Sequence, residues 1–365
     1  MADLNIGAAS TTSLTAAVTD FSVSAKRIDG QQGQDETFYD FPNSAQYLGY
    51  YKTIPELKKA IDSLAIWTAG LGLVTDIRTS VILEHITGWG EDSFQSIMEN
   101  LIVQKKVFGD AFAEVIWEDD KEGVPVIVNI KPLYPGDMRV VVNKKGIIIR
   151  YEQRTQGING TPEVFDPNDI LHLSNDRIAN EIHGTSVIEA CKWVIDARNE
   201  AMNDERKIKH RELALGVLYV DTDNAAKISS IATTYGNAIK NGEMLVLPKD
   251  VAEIKDTGIV QHQDRLGWIQ YLENFFYQSV GIPKVICNSS DYTEAASKVG
   301  FLTFEPVYTR EQTLLESDLW NQLLIRIKFN RPPSLSGMMQ ESEQKNDQQT
   351  SFQPSEFSAS AKKTE

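Results

Sequence analysis

A chain of 365 residues that is 41% hydrophobic and 24% charged can bury two or three cores, which excludes a solvated tail or a fibre. The formal charge of -15 excludes a surface that clamps nucleic acid, because such binding is dominated by Lys and Arg at phosphates. The longest apolar stretch, Leu64 to Val74, falls short of the ~20 residues that cross a bilayer, and no basic and then apolar leader precedes it. With Cys191 and Cys287 the sole cysteines, no disulfide framework is expected, and a reducing cytoplasm is the simplest setting for synthesis.

Residues 1–45 are rich in Ala, Ser, Thr, Gly and Gln and are expected to form a flexible arm. Pro55 suits a first helical turn, and Leu57, Ile61, Leu64 and Ala65 continue that helix toward Gly70. Ser93 to Lys106 predicts a second helix with Phe94, Ile97, Met98, Leu101 and Ile102 on one side. Four β-rich runs follow, Asp110 to Trp117, Val124 to Ile130, Met138 to Asn143 and Gly146 to Gln153, separated by turn residues; they predict one meandering antiparallel sheet. Glu163 to Phe165 and Ile170 to Leu173 add two short strands.

Two helix-period segments, Thr185 to Glu212 and His262 to Val280, then predict a shaft. The first carries Val187, Ile188, Cys191, Val194, Ile195, Ala201 and Met202 on one stripe, interrupted by Arg198; the second carries Leu266, Ile269, Leu272, Phe276 and Val280. Extra aromatics at Trp268, Tyr271, Phe275 and Tyr277 equip the second helix for more than one neighbour. Between them, strands at Gly216 to Val220 and Glu243 to Leu247 flank a helix at Asn224 to Lys240, a β-α-β knob at the far end of the shaft. Ala295 to Lys328 reads as one long helix bent at Pro306, and residues 331–365 as a disordered tail.

Catalytic signatures are missing from the sequence. There is no Gly-x-x-x-x-Gly-Lys-Ser/Thr loop, and Gly88-Trp89-Gly90 lacks the third glycine of a dinucleotide fingerprint. His85, His172, His183, His210 and His262 stand apart in sequence without a metal-ligand spacing, so each is assigned a structural or surface role. Gly184-Thr185-Ser186 fails the nucleophile-elbow pattern at Ile188 and is expected to be a turn and helix cap. No cofactor and no metal are expected. Arg206, Lys207, Lys209, His210 and Arg211 cluster at a helix end, where cations meet the negative pole of the macrodipole; the sharper reading is a basic collar near the knob. Glu305, Glu311, Glu316 and Asp318 in the last helix read as a solvated face, or alternatively as a negative lining.

The order of these features resembles the portal proteins of tailed double-stranded DNA viruses. The likeness rests on Val107-Phe108-Gly109-Asp110-Ala111-Phe112-Ala113-Glu114, Ile130-Lys131-Pro132-Leu133-Tyr134-Pro135, Phe165-Asp166-Pro167-Asn168-Asp169-Ile170-Leu171-His172 and Gly184-Thr185-Ser186-Val187-Ile188. Gly242-Glu243-Met244-Leu245-Val246-Leu247-Pro248 and Val280-Gly281-Ile282-Pro283 continue it. Phe108 stands where Tyr is common in the motif, and almost nothing ordered is expected after Lys328, which puts a full helical crown in doubt.

The resemblance implies an α+β subunit: an arm over residues 1–45, a wing over 46–183, stem helices over 184–212 and 259–283, a clip over 213–258, a tunnel loop over 284–300, a kinked tunnel and crown helix over 301–330, and a tail over 331–365. It implies a homo-oligomeric ring, a dodecamer, at one capsid vertex of the virion. Double-stranded DNA would pass through it without sequence specificity or ATP consumption. Asn288, Ser289, Ser290, Asp291, Tyr292, Thr293 and Glu294 would face the channel. The major capsid protein would contact the wing, and the terminase large subunit and then a head-tail adaptor would dock on the clip. The alternatives are a soluble enzyme whose site forms only in three dimensions, and another head-completion or baseplate component.

Overall fold

A computed structural model describes residues 36–154, 161–212, 217–220, 224–241, 252–255, 265–287 and 293–334. The chain opens with strand β1 (Glu36–Asp40), helices α1 (Ser44–Thr53) and α2 (Pro55–Ala69), strand β2 (Leu73–Thr75) and helix α3 (Ile77–His85). Pro55 occupies the first turn of α2, where its missing N–H leaves no bond unmade, and Leu57, Ala60, Ile61, Leu64 and Ala65 are buried. α4 (Phe94–Phe108) starts in a reciprocal box: Ser96 N–H donates to Ser93 Oγ, and Ser93 N–H donates to Ser96 Oγ. It buries Ile97, Met98, Leu101 and Ile102 as the spacing predicts, and Gly109 ends it with φ 92°, a left-handed conformation that glycine adopts without strain.

The expected single meander divides into two sheets. Strands β3 (Asp110–Asp119) and β4 (Pro125–Leu133) form a hairpin, followed by β5 (Met138–Asn143), β6 (Ile148–Gln153), β7 (Glu163–Phe165) and β8 (Ile170–Ser174). One sheet has the order β4-β3-β8 and the other β1-β5-β6-β7, all pairs antiparallel. Alternation in sequence says which face of a strand is apolar; it does not say which strand lies beside it. Residues 36–45 of the expected arm are likewise built into the fold. Glu36 to Asp40 pairs with Asn143 to Arg139, and Arg150 bonds Glu36 at 2.7 Å while Arg139 bonds Asp40 at 2.9 Å. Residues 1–35 lie outside the described residues.

The remaining elements are α5 (Lys192–Glu212), β9 (Val217–Val220), α6 (Ala225–Asn241), β10 (Ala252–Lys255), α7 (Arg265–Val280), α8 (Lys284–Cys287), α9 (Glu294–Leu323) and β11 (Ile327–Phe329). The first shaft helix starts later than its apolar stripe, after a 3-10 turn at Glu189–Cys191. Ser186 caps no α-helix: its buried hydroxyl donates to Val107 O at 2.5 Å and accepts from Ile188 N–H, which ties the turn to the end of α4. Of the expected knob, β9 and α6 fall within a residue of the ranges read from the sequence; the expected strand at Glu243 to Leu247 lies outside the described residues, and β9 pairs antiparallel with β10, a strand the sequence reading did not mark.

The long helix is also shorter than its pattern. α9 continues through Pro306 but closes at Leu324, which takes φ 57°. β11 then pairs with β2, so Ile327 and Phe329 are buried as alternate residues of a strand rather than as a helical stripe. Residues 335–365 lie outside the described residues. Among the described residues no helix is long and apolar enough to cross a membrane.

Three buried clusters hold these parts together. One lies between α4, the β4-β3-β8 sheet and the C-terminal half of α9, around Met98, Ala113, Leu171 and Leu319. A second joins α2, α7 and the N-terminal half of α9 to the turn before α5, around Ile61, Ile188, Phe276 and Phe304. In it Trp67 sits against three α9 rings, with centroids 5.5 Å from Phe301, 5.8 Å from Phe304 and 5.6 Å from Tyr308. The third lines the four-stranded sheet, and Phe112 of β3 belongs to it, packed on Phe41 and Tyr151.

Candidate functional site

The chemistry of the chain gathers where the sheets meet the shaft. Asp110, the first residue of β3, is fully buried. His172 Nε2 lies 3.0 Å and His183 Nδ1 3.1 Å from its two oxygens, and Gly184 N–H donates to both, at 3.1 and 3.0 Å. Burial pushes the Asp110 carboxyl up, but the bonds from His172 and then His183 outweigh it and bring it down to about 2. Tyr151 hydroxyl lies 3.1 Å from His172 Nδ1, which carries the contacts of Asp110 one side chain further. Burial, followed by the Asp110 charge, raises the Tyr151 phenol and keeps it a donor. This chain of three side chains orients backbone; it fastens Gly184, at the entry to the shaft, to the first residue of β3. The two histidines thus have the structural role expected of them. Among the described residues no cluster of three or more His, Cys, Asp or Glu could hold a metal ion.

A second buried network ties the long helix to α4. Glu311 of α9 accepts from Lys105 Nζ at 2.5 Å and Lys106 Nζ at 3.1 Å, and Lys106 also donates to Asn175 Oδ1 at 2.7 Å. Asn175 Nδ2 passes the connection to Thr185 O at 2.7 Å. Burial raises the Glu311 carboxyl, and the charges of Lys106 and Lys105 more than reverse this, so it stays ionised. Glu311 is therefore neither on a solvated face nor a negative lining, as the last helix was expected to show; two lysines neutralise it inside the core. Glu316 is also engaged, accepting from Phe329 N–H at 2.9 Å. Sequence reading passed over Lys105 and Lys106, although a signal exists: each stands four residues after a buried apolar residue, Leu101 or Ile102.

The shaft itself is half clothed. Val187, Ile188, Cys191, Val194 and Ile195 are buried, as are Ile269, Leu272, Phe276 and Val280, which confirms both stripes over this stretch. Arg198 interrupts the first stripe for a reason: its guanidinium bonds Glu56 of α2 at 3.0 Å and reaches Glu273 of α7 at 3.6 Å. Past Arg198, Ala201 is partly buried and Met202 is 41% exposed among the described residues. On the outer face Trp193, Trp268 and Tyr271 are about half exposed and join through Phe275 into one aromatic row. Centroids are 5.3 Å apart for Trp193–Phe275, 5.2 Å for Tyr271–Phe275 and 5.7 Å for Trp268–Tyr271.

Of the residues expected at a channel, Asn288, Ser289, Ser290, Asp291 and Tyr292 lie outside the described residues. Thr293 is the N-cap of α9, its hydroxyl accepting from Ala296 N–H at 3.3 Å, and Glu294 is the first residue of that helix. Arg206, Lys207, Lys209 and Arg211 all ride on the last turns of α5. Arg206 and Lys207 are exposed, and Lys207 pairs with Asp204 at 2.9 Å.

Comparison with known proteins follows the same architecture. The sequence model of a family described as phage portal protein matches residues 90–350. No curated protein matches by sequence. Among solved structures, the chain is similar to one in the neck of a native gene transfer agent particle computed with C12 symmetry, with a TM-score of 0.61 and 15% identity over 86% of this chain and 91% of that one. It is similar to a chain of the virion of a native gene transfer agent, with a TM-score of 0.60 and 16% identity over 85% of this chain and 89% of that one. An HK97-family phage portal protein from Corynebacterium diphtheriae gives a TM-score of 0.52 and 14% identity over 78% and 94%. At such identities these structures speak for the fold.

Proposed function

Because this chain belongs to the phage portal protein family, we propose that it is the repeating subunit of a closed ring at one capsid vertex, through which double-stranded DNA enters and leaves a virion. The observation that carries this reading is the aromatic row Trp193, Phe275, Tyr271 and Trp268 on the outside of the α5–α7 pair. Half-exposed tryptophans in a continuous row are costly in water, and copies of the same shaft set side by side would cover them. A dodecamer is the subunit number this reading adopts.

In that ring, residues 46–183 would be the wing that meets the major capsid protein, and β9, α6 and β10 would belong to the clip offered to the terminase large subunit and later to a head-tail adaptor. The segment Asn288 to Glu294, which leads from α8 into the first residue of α9, would line the constriction, with Asp291 and Glu294 repelling phosphates and Tyr292 supplying bulk. The acidic balance of the chain suits a conduit, since a channel of strong phosphate ligands would hold DNA rather than pass it. The protein is read as a conduit and not as an enzyme, working without cofactor or ATP. The exposed Arg206 and Lys207, with Lys209 and Arg211 beyond them, would form a basic collar near the clip.

Electron microscopy of the purified chain tests the ring, and deletion of Ser289 to Tyr292 tests the channel. The deletion should leave rings intact while genome packaging or retention falls. Normal packaging and retention by an intact deleted ring would remove the segment from the channel, and a chain that stays monomeric in every condition would overturn the ring itself.

A further inference from the structure

Apolar residues crowd a surface far from the shaft. α3 presents Ile77 and Val81 one turn apart, 86% and 50% exposed. β4 turns Ile127 and Ile130 to the core and leaves Val128 39% exposed, and Val124, in the turn just before the strand, is 47% exposed. The solvent face of an antiparallel strand is ordinarily polar, so Val126 and Val128 on β4, the latter at a bulge in the pairing with β3, depart from the pattern, and Val124 just before the strand adds to them. Together α3 and the β3–β4 hairpin enclose a groove of about 750 Å³. It shares Arg78, Ile82 and Val126 with a second groove of about 750 Å³, which reaches the C-terminal end of α9 at Leu323 and Leu324. Leu324 is itself 74% exposed.

Electrostatics define what fits. Glu118, Asp119 and Asp120 border the first groove and Asp169 the second, and among the residues lining the two Arg78 is the single base. α9 ends here with no basic residue in its last turn, so the negative pole of a helix of 30 residues lies beside the second groove, with Arg326, over the Trp320 ring at 4.3 Å, just beyond the helix. Burial, with Asp166 and Glu114 nearby, also pushes the Asp169 carboxyl above its ordinary range, in keeping with a surplus of negative charge. We propose that this double groove docks a basic amphipathic helix of a partner protein. Its branched apolar residues would lie along Ile77, Val81, Val126 and Val128, and its Lys or Arg residues would meet Glu118, Asp119, Asp169 and the α9 terminus. The proposal concerns a protein contact and stands apart from DNA conduction.

The probe is a synthetic peptide of about 18 residues, with Leu at helix spacings i, i+3, i+4, i+7 and Lys elsewhere. Its counterpart carries Glu in place of every Lys. Binding to the full chain is followed by fluorescence anisotropy, and ring formation is scored separately by native mass spectrometry, so failure of the ring reading and failure of this one give different results. The Lys peptide should bind and the Glu peptide should not. Ile77→Asp, at an exposed first helical position with no core contact to lose, should weaken binding about tenfold or more. Glu118→Gln with Asp119→Asn should weaken it a few-fold and flatten its dependence on salt. Three results would overturn the proposal: equal binding of both peptides, equal binding of the Lys peptide to wild type and Ile77→Asp, or no binding. A change of oligomeric state in Ile77→Asp would overturn it too, by assigning the groove to a second copy of the chain.

Discussion

Gly109 and Gly184 meet backbone to backbone: a Cβ on Gly184 would fall 2.2 Å from the Gly109 carbonyl oxygen, and one on Gly109 would fall 2.3 Å from that of Gly184. Asn175 N–H donates to Gly109 O at 2.7 Å, and Asp110 takes the Gly184 N–H, so neither strand can retreat without breaking buried bonds. The entry to the shaft is thereby fixed on the first residues of β3.

Gly184→Ala should therefore lower stability by about 1–3 kcal/mol through overpacking alone. Gly109→Ala should add about 1–2 kcal/mol, because φ 92° is left-handed. Gly146→Ala is the comparison, with φ 78° and no atom within 4 Å of its Cβ, and should cost only the conformational part. Urea denaturation of the three variants measures the difference; equal losses at Gly109 and Gly146, both left-handed, or no loss at Gly184, would show that the close approach is immaterial.

Replacing Glu311 by Gln leaves Lys105 and Lys106 buried without their counter-charge, for which about 3–5 kcal/mol of destabilisation is expected. Replacing all three by apolar residues of similar volume should recover most of that loss, since breaking a buried pair costs more than never forming it. If the single and triple variants unfold at the same urea concentration, the network does not work by charge compensation.

The Asp110 node gives acid sensitivity of a defined sign. Its carboxyl sits at about 2 in the folded protein, below the ~3.9 of an unfolded aspartate, so its contribution is present above about pH 4 and lost as pH falls toward 2. That contribution is on the order of 2 kcal/mol. Glu311, also lowered, acts in the same direction. Asp110→Asn should reduce stability at pH 7 and flatten its decline below pH 4; an unchanged slope would remove Asp110 from the acid transition.

On the shaft, Trp268→Ala together with Tyr271→Ala removes rings that stay about half exposed among the described residues. The subunit should keep its far-ultraviolet circular dichroism while native mass spectrometry shows rings giving way to smaller species, because loss of such anchors typically costs ≥ 2 kcal/mol per interface. Rings of unchanged stability would place these aromatics outside the subunit contact.

Lys227 and Lys240 both lie on α6, and Lys227 is exposed. If this element is the docking platform, charge reversal at either position should slow association with the terminase large subunit in surface plasmon resonance while rings still form, since rim charges tune encounter more than folding. Unaltered association of both variants would count against the clip as that platform.

Local patterns carried much of this fold. Pro55, the Ser93 cap and the spacing of Ile97, Met98, Leu101 and Ile102 place α2 and α4, because a helix is closed by bonds four residues apart and shows its period in the sequence. The buried shaft stripes and the helix α6 were legible for the same reason, and the motifs around Gly109-Asp110 and Gly184-Thr185-Ser186 were visible as words whose meaning was not. Tertiary structure alone decided what those words join. Asp110 finds His172 and His183, and Lys105 finds Glu311, across separations of 62, 73 and 206 residues. The split of the strands into two sheets, and the pairing of Ile327 to Phe329 with Leu73 to Thr75, belong to the same class. Periodicity reports which face of an element is apolar, whereas the partner that covers that face, or neutralises a charge set within it, is selected by packing among elements far apart in the chain.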